Sequence, residues 1–166
     1  LHPRPLTGFA KVETWDNPWI GALFSLYGAI PLRRGEADIS AIQQGLAVLK
    51  QGKILAITPE GTRSGHGRLQ KGHPGVVTMA LRSQVPLLPL AFWGNECFRQ
   101  NLPRLRRTPF QIRVGSMLTV DTHGERVTRE IRQAITDELM CQVAALLPPD
   151  YRGYYANCSA STRYLK

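Results

Sequence analysis

The chain holds three cysteines, Cys97, Cys141 and Cys158, and no Cys-x-x-Cys pair. That excludes a zinc ribbon, a thioredoxin-type redox motif and a disulfide scaffold. Three widely spaced thiols read as small apolar side chains or idle groups in a reducing compartment. Histidines are as scattered: His2, His66, His73 and His123 include no His-Glu-x-x-His and offer no zinc spacing. Gly-x-Ser-x-Gly is missing, because Ser64 and Ser116 lack the flanking glycines of a nucleophile elbow. The phosphate-binding P-loop pattern fails at His73, where lysine is required. The dinucleotide fingerprint begins at Gly65 and Gly67 and fails at Gln70. No long apolar run is present either. The longest charge-free stretch, residues 17–32, is broken by Pro18, Gly21, Gly28 and Pro31 and is shorter than the about 20 apolar residues of a membrane-spanning helix. Nothing in the chain reads as a signal peptide.

Acidic residues are also scarce, 12 against 21 Lys and Arg, for a formal charge of +9. With 166 residues, 43% of them hydrophobic, the chain is long enough for one globular domain with its own core. It begins without methionine, and Leu1-His2-Pro3-Arg4-Pro5 reads like the inside of a loop, so we expect residues 1–166 to be one domain lacking its N-terminal part.

Local patterning predicts an α/β architecture. A short strand over residues 9–12 precedes a helix that Asn17-Pro18 opens and Gly28 stops, with Trp19, Ile20, Leu23, Phe24 and Tyr27 on one side. A second helix starts at Asp38 or Ser40, carries Ile39, Ile42, Leu46 and Leu49 as a stripe, and ends at Gly52. The continuous apolar run of residues 53–58 predicts a strand buried on both faces, as does the run of residues 85–93. A helix over residues 74–82 lies between them. Residues 110–114 alternate like an edge or half-exposed strand, and residues 127–147 form a long amphipathic helix stopped by Pro148-Pro149. Strand, polar glycine loop, helix, strand is the order of α/β folds, here a mixed, largely parallel central sheet flanked by helices.

One loop carries anion-binding chemistry. Glu60-Gly61-Thr62-Arg63 leaves the end of an apolar strand, where open α/β sheets place their ligands. Gly61 allows close backbone approach, Thr62 offers a hydroxyl, and Arg63 offers a planar fork suited to phosphate. Lys71 adds a point charge before the next helix, and Arg33-Arg34 follows another short apolar segment. The plainer alternative is that Glu60 and Arg63 pair with each other on the surface. Likewise the aromatic helix with Trp15, Trp19, Phe24 and Tyr27 reads either as core or as an apolar groove or lipid-interface element. The basic stretch with Arg99, Arg104, Arg106, Arg107 and Arg113 reads either as a solvated face or as a surface for anionic headgroups.

Three stretches resemble the glycerolipid acyltransferases, specifically the bacterial 1-acylglycerol-3-phosphate acyltransferases. Pro59-Glu60-Gly61-Thr62-Arg63-Ser64 is similar to the family's Phe-Pro-Glu-Gly-Thr-Arg-Ser block, with Thr58 in place of the aromatic. Gly28-Ala29-Ile30-Pro31-Leu32-Arg33-Arg34 is similar to Gly-x-Ile-x-x-x-Arg, with Arg34 at the matching arginine. Val85-Pro86-Leu87-Leu88-Pro89-Leu90 is similar to Val-Pro-x-x-Pro-Val, and the stretch from Pro148 to Tyr155 resembles bacterial members.

The resemblance implies transfer of a fatty acyl group from acyl-CoA or an acyl carrier protein to the free hydroxyl of 1-acylglycerol-3-phosphate (lysophosphatidic acid), giving phosphatidic acid. Arg34, Glu60, Gly61, Thr62, Arg63 and Lys71 would bind substrate, with no cofactor and no metal. The enzyme would work peripherally at the cytoplasmic face of an anionic membrane, in phospholipid biosynthesis. The family's catalytic His-x-x-x-x-Asp block is absent: no histidine has an aspartate five residues on. By the family's order it belongs before Leu1. Other acceptors, such as glycerol-3-phosphate or another lysophospholipid, are the nearest alternatives. A non-enzymatic anion- or nucleic-acid-binding module is the more distant one; against nucleic acid, the aromatics cluster away from the arginine-rich stretch.

Overall fold

The structure, a computed structural model, describes residues 4–33, 38–61, 67–159 and 161–166. The chain forms two compact units, one of Leu1–Thr58 with Thr78–Val85 and one of Pro59–Val77 with Pro86–Lys166.

In the first unit, β1 (Leu6–Lys11), β2 (Ile30–Leu32) and β3 (Ile54–Ala56) make a parallel sheet in the order β2-β1-β3. Phe9 stands opposite Ile30 and Leu6 opposite Ile54. Parallel neighbours require crossover connections, supplied by α1 (Pro18–Leu26) and α2 (Ile39–Lys50). Helix α1 begins where the sequence predicts: the Asn17 side chain accepts hydrogen bonds from the Trp19 and Ile20 N–H groups at 3.1 and 3.3 Å, and Pro18 occupies the first turn. The Trp15 indole donates to Ser25 Oγ at 3.0 Å and meets Phe24 edge-on, so these two aromatics pack locally. Trp19 and Tyr27, at 86% and 70% exposure, are outside any core.

Helix α2 is capped by Asp38, whose Oδ1 accepts from Ala41 N–H at 3.0 Å while Oδ2 accepts from Arg33 N–H at 3.1 Å. Those backbone donors, Ala41 first, hold its carboxyl below the usual aspartate range. The buried face of α2 is centred on Ala41 and Gly45, whereas Ile39 of the expected stripe is exposed. Crowding explains the shift. A Cβ on Gly45 would lie 2.7 Å from Met79 Cε, 3.0 Å from Phe9 Cζ and 3.1 Å from Leu55 Cδ2. The strand expected to be buried on both faces is half-exposed, with Ile54 48% accessible, because β1 takes the centre of this sheet and β3 its edge.

Helix α3 (Gly75–Ser83) buries Val76, Val77, Met79 and Ala80. In the second unit, β4 (Leu90–Trp93) pairs antiparallel with β5 (Gln111–Val114), and the short α4 (Phe98–Asn101) lies between them in sequence. Only one face of β4 is covered: Ala91 and Trp93 are buried while Leu90 and Phe92 are exposed, which corrects the expected doubly buried strand. The covered face packs with Val143, Leu146 and Leu147, at the end of α5 (Arg129–Leu146). The core of α5 is Ile135, Thr136, Leu139, Met140 and Ala144. Met140 and Ala144 cluster with Tyr155 from the tail. Beyond it, Thr119 and Lys166 exchange backbone hydrogen bonds at 2.8 and 3.1 Å, closing the C-terminus against residues 119–121. The expected α/β class, with a parallel sheet flanked by helices, is what the chain adopts.

Candidate active-site loop

The loop that follows β3 and returns into α3 is held at several points within the second unit. Gly61 has φ +65°, a left-handed conformation that glycine adopts without a Cβ penalty; a Cβ there would also sit 3.3 Å from His73 Cδ2. His73 N–H donates to Pro59 O at 2.8 Å. The Glu60 carboxylate, half-buried, accepts from Gln70 N–H through Oε2 at 2.9 Å. Glu60 therefore ties one side of the loop to the other; the alternative pairing with Arg63 lies outside the described residues.

The returning segment is clamped from the other side by the tail. Leu69 N–H donates to Tyr151 O at 3.0 Å, and Tyr154 N–H donates to Leu69 O at 2.9 Å. Gly153, with φ +47°, allows this approach, because a Cβ there would overlap Leu69 O. Gly72 is buried directly on α5: a Cβ would lie 2.7 Å from Met140 Cγ and 2.9 Å from Thr136 Cγ2. Its N–H donates to Tyr155 Oη at 3.0 Å, and its carbonyl accepts from Gln133 Nε2 at 3.2 Å. Tyr155 Oη in turn donates to Asp137 Oδ1 at 2.7 Å, which also accepts from Gln133 Nε2 at 3.0 Å. Burial first, and the Asp137 carboxylate with it, push the Tyr155 hydroxyl above the ordinary tyrosine range, with Gly72 N–H acting in the opposite sense. At neutral pH this hydroxyl keeps its proton.

Of the sequence-predicted residues, Glu60, Gly61 and Lys71 come together here. Lys71 is exposed and, with Arg68, Leu69, Gln70, Gly153 and Tyr154, lines an open depression of about 400 Å³. Arg34, Thr62, Arg63 and also His66 lie outside the described residues. His73, near the loop, is exposed. Among the described residues no group of His, Cys, Asp and Glu is placed to hold a metal ion. Lys71 is an exposed ammonium between Gln70 and Gly72, whose backbone N–H groups are both hydrogen-bonded to side chains. Gln133, Asp137 and Tyr155 escape a sequence reading because Gly72 lies 61 residues from Gln133 and 83 from Tyr155. The only hint is the likeness of the Pro148–Tyr155 stretch to bacterial acyltransferases.

A family model described as Acyltransferase matches residues 1–93 of the chain. The 1-acyl-sn-glycerol-3-phosphate acyltransferase of Bacillus subtilis is 35% identical over 144 residues, spanning 87% of this chain and 70% of that protein. A protein of the same name from Limnanthes alba is 32% identical over 125 residues, 73% of this chain and 44% of its own. Among solved structures, the 1-acyl-sn-glycerophosphate (LPA) acyltransferase PlsC of Thermotoga maritima shares the fold with a TM-score of 0.57 at 23% identity, covering 84% of this chain and 55% of that one. The chain thus spans from under half to about two-thirds of the length of these proteins.

Proposed function

The chain belongs to the glycerolipid acyltransferase family, and from that premise we propose that residues 1–166 carry the acceptor-binding part of a 1-acylglycerol-3-phosphate acyltransferase. The reaction moves a fatty acyl group from a thioester, on CoA or an acyl carrier protein, to the sn-2 hydroxyl of lysophosphatidic acid. In this reading Arg34, Thr62, Arg63 and Lys71 hold the acceptor phosphate, Gly61 lets it approach the backbone, and Glu60 keeps the loop closed. The general base and the carboxylate that orients it belong to a His-x-x-x-x-Asp pair that these 166 residues do not contain. Positioning the acceptor is a large share of such catalysis, worth roughly 7–11 kcal/mol of barrier where alignment is good.

What supports the reading most is that the Pro59–Ser64 block falls inside the family-matched residues and runs into a segment whose backbone is tied down on both sides of Lys71. The test is binding of sn-glycerol 3-phosphate and lysophosphatidic acid to the chain and its variants. Losing one partner of a close charge pair costs about 2–5 kcal/mol, tens- to thousands-fold in affinity. Arg34→Ala and Arg63→Ala should lose that much, with only partial rescue by lysine, which lacks the planar fork. Arg106→Ala and Arg107→Ala should not. Equal, small losses at all four positions would mean a diffuse field and would refute the assignment.

The same reading places the enzyme peripherally on an anionic, cytoplasmic membrane face. Residues 97–120 contain five arginines and no Asp or Glu, all five arginines are exposed, and Leu105 between them is 94% exposed. Each such basic residue contributes about 1 kcal/mol near an anionic surface. No described helix is long and apolar enough to cross a membrane. Arg106→Ala and Arg107→Ala should weaken binding to phosphatidylglycerol vesicles and leave glycerol 3-phosphate binding unchanged.

A further inference from the structure

We propose that Tyr155, oriented by Asp137, which Gln133 holds in turn, is a positioning residue that sets the Gly72 peptide and through it the Lys71 ammonium. The inference rests on the reading of the loop as a phosphate site and names residues that this reading does not use.

The hydrogen bonding has one direction. A tyrosine hydroxyl has a single proton, and here it goes to Asp137 Oδ1 at 2.7 Å. The oxygen's lone pairs then face Gly72 N–H, which donates to it at 3.0 Å. Gln133 has two amide protons, and they are shared between the same carboxylate and the Gly72 carbonyl, at 3.0 and 3.2 Å. Both polar groups of Gly72 are thereby held by side chains of α5 and the tail, so the peptide planes flanking it have a defined orientation. On the other side of Lys71, Gln70 N–H is held by Glu60. Lys71 is thus an exposed cation mounted between two anchored residues, and Tyr155, which holds one of them, is only 4% exposed. Buried polar networks of this kind specify one geometry when every member is satisfied, and no buried described side-chain polar atom lacks a partner. A flexible lysine gains binding affinity when its backbone is preorganised in this way.

Tyr155→Phe tests this, since it keeps the ring in its cluster and deletes only the hydroxyl. Two quantities are read on the 166-residue chain: amide hydrogen exchange at Gly72 and affinity for sn-glycerol 3-phosphate. Tyr164→Phe is the control, another buried tyrosine of the same unit that bonds Glu125. Leaving a buried N–H without its acceptor should speed Gly72 exchange about ten-fold or more, and affinity should fall by a similar factor, with neither change in the control. Asp137→Asn, which retains an acceptor oxygen for the tyrosine proton, should keep most of the affinity, while Asp137→Ala should lose it. Faster exchange with unchanged affinity would overturn the positioning role and leave Tyr155 merely structural. Losses no larger than those of Tyr164→Phe in both readouts would overturn the clasp itself. If the unaltered chain does not bind glycerol 3-phosphate, the reading of the loop as a phosphate site falls, and Gly72 exchange alone decides whether the clasp exists.

Discussion

Gly72→Ala adds one methyl group at the most crowded point of the loop, and its cost can be worked from the contacts. The new Cβ would lie 2.7 Å from Met140 Cγ and 2.9 Å from Thr136 Cγ2, where carbon atoms prefer about 3.5–4.0 Å. Both neighbours are fully enclosed, at 1% and 0% exposure, and the β-branched Thr136 is stiff at χ1. The backbone at Gly72 must therefore back away from α5. Overpacking of this kind costs about 1–3 kcal/mol. At about 2–4 °C per kcal/mol for a chain of this size, the unfolding midpoint should fall by about 2–12 °C. Thermal unfolding followed by circular dichroism measures this, with Gly75→Ala as the comparison, because a Cβ at Gly75 meets nothing within 4 Å. Met140→Ala alone should cost about 2–5 kcal/mol through the cavity it leaves. Combined with Gly72→Ala the two should be less than additive, since the new methyl enters the space Met140 vacates. A Gly72→Ala chain as stable as Gly75→Ala, or strictly additive losses, would refute the reasoning.

Purified residues 1–166 should transfer no acyl group to lysophosphatidic acid, because none of their histidines has an aspartate five residues on; measurable product in a thioester-release assay would overturn this. Tyr155 is raised above its ordinary value of 10.0 in the folded chain, so its contribution is intact below about pH 10 and is lost as pH rises through the higher folded value. Unfolding midpoints scanned from pH 8 to 12 should show a decline above about pH 10 that is shallower in Tyr155→Phe, and identical slopes would contradict the linkage. Burial, helped by the neighbouring Cys158 thiol, pushes Cys141 up to about 12, while Cys97 and Cys158 are exposed. At pH 8 an alkylating reagent should therefore modify Cys97 and Cys158 well before Cys141, and mass mapping that finds all three modified at one rate would count against the packing around Cys141.

Features set by neighbours in sequence are the ones a sequence reading recovers. The start of α1 at Asn17-Pro18 is legible because the cap, the proline and the first N–H groups are within three residues of one another. The Asp38 cap and the Gly28 and Gly52 stops are equally local. What covers a strand is different. Residues 54–56 and 90–93 are apolar in both alternating sets, yet each strand leaves part of that surface exposed, because coverage depends on segments tens of residues away. The buried face of α2 is misjudged for the same reason: large residues suggest the stripe, whereas the closest packing falls on Ala41 and Gly45.

The loop shows the same division between local and distant causes. That Glu60, Gly61 and Lys71 share one loop can be read from the sequence, but residue types alone cannot orient the backbone around Lys71, since glycines lose more freedom on ordering than any other residue. Order has to come from outside, and Gly72 shows how. With no Cβ, its backbone comes near enough to α5 for Gln133 to reach its carbonyl and for Tyr155 to accept from its N–H. The small residue and the distant tyrosine are thus two halves of one device, and their variants should separate its parts. Gly72→Ala moves the segment off α5, so it should lower stability and phosphate affinity together. Tyr155→Phe leaves the methyl-free contact intact and removes only the orienting bond, so affinity should fall by about the same factor by which Gly72 exchange rises.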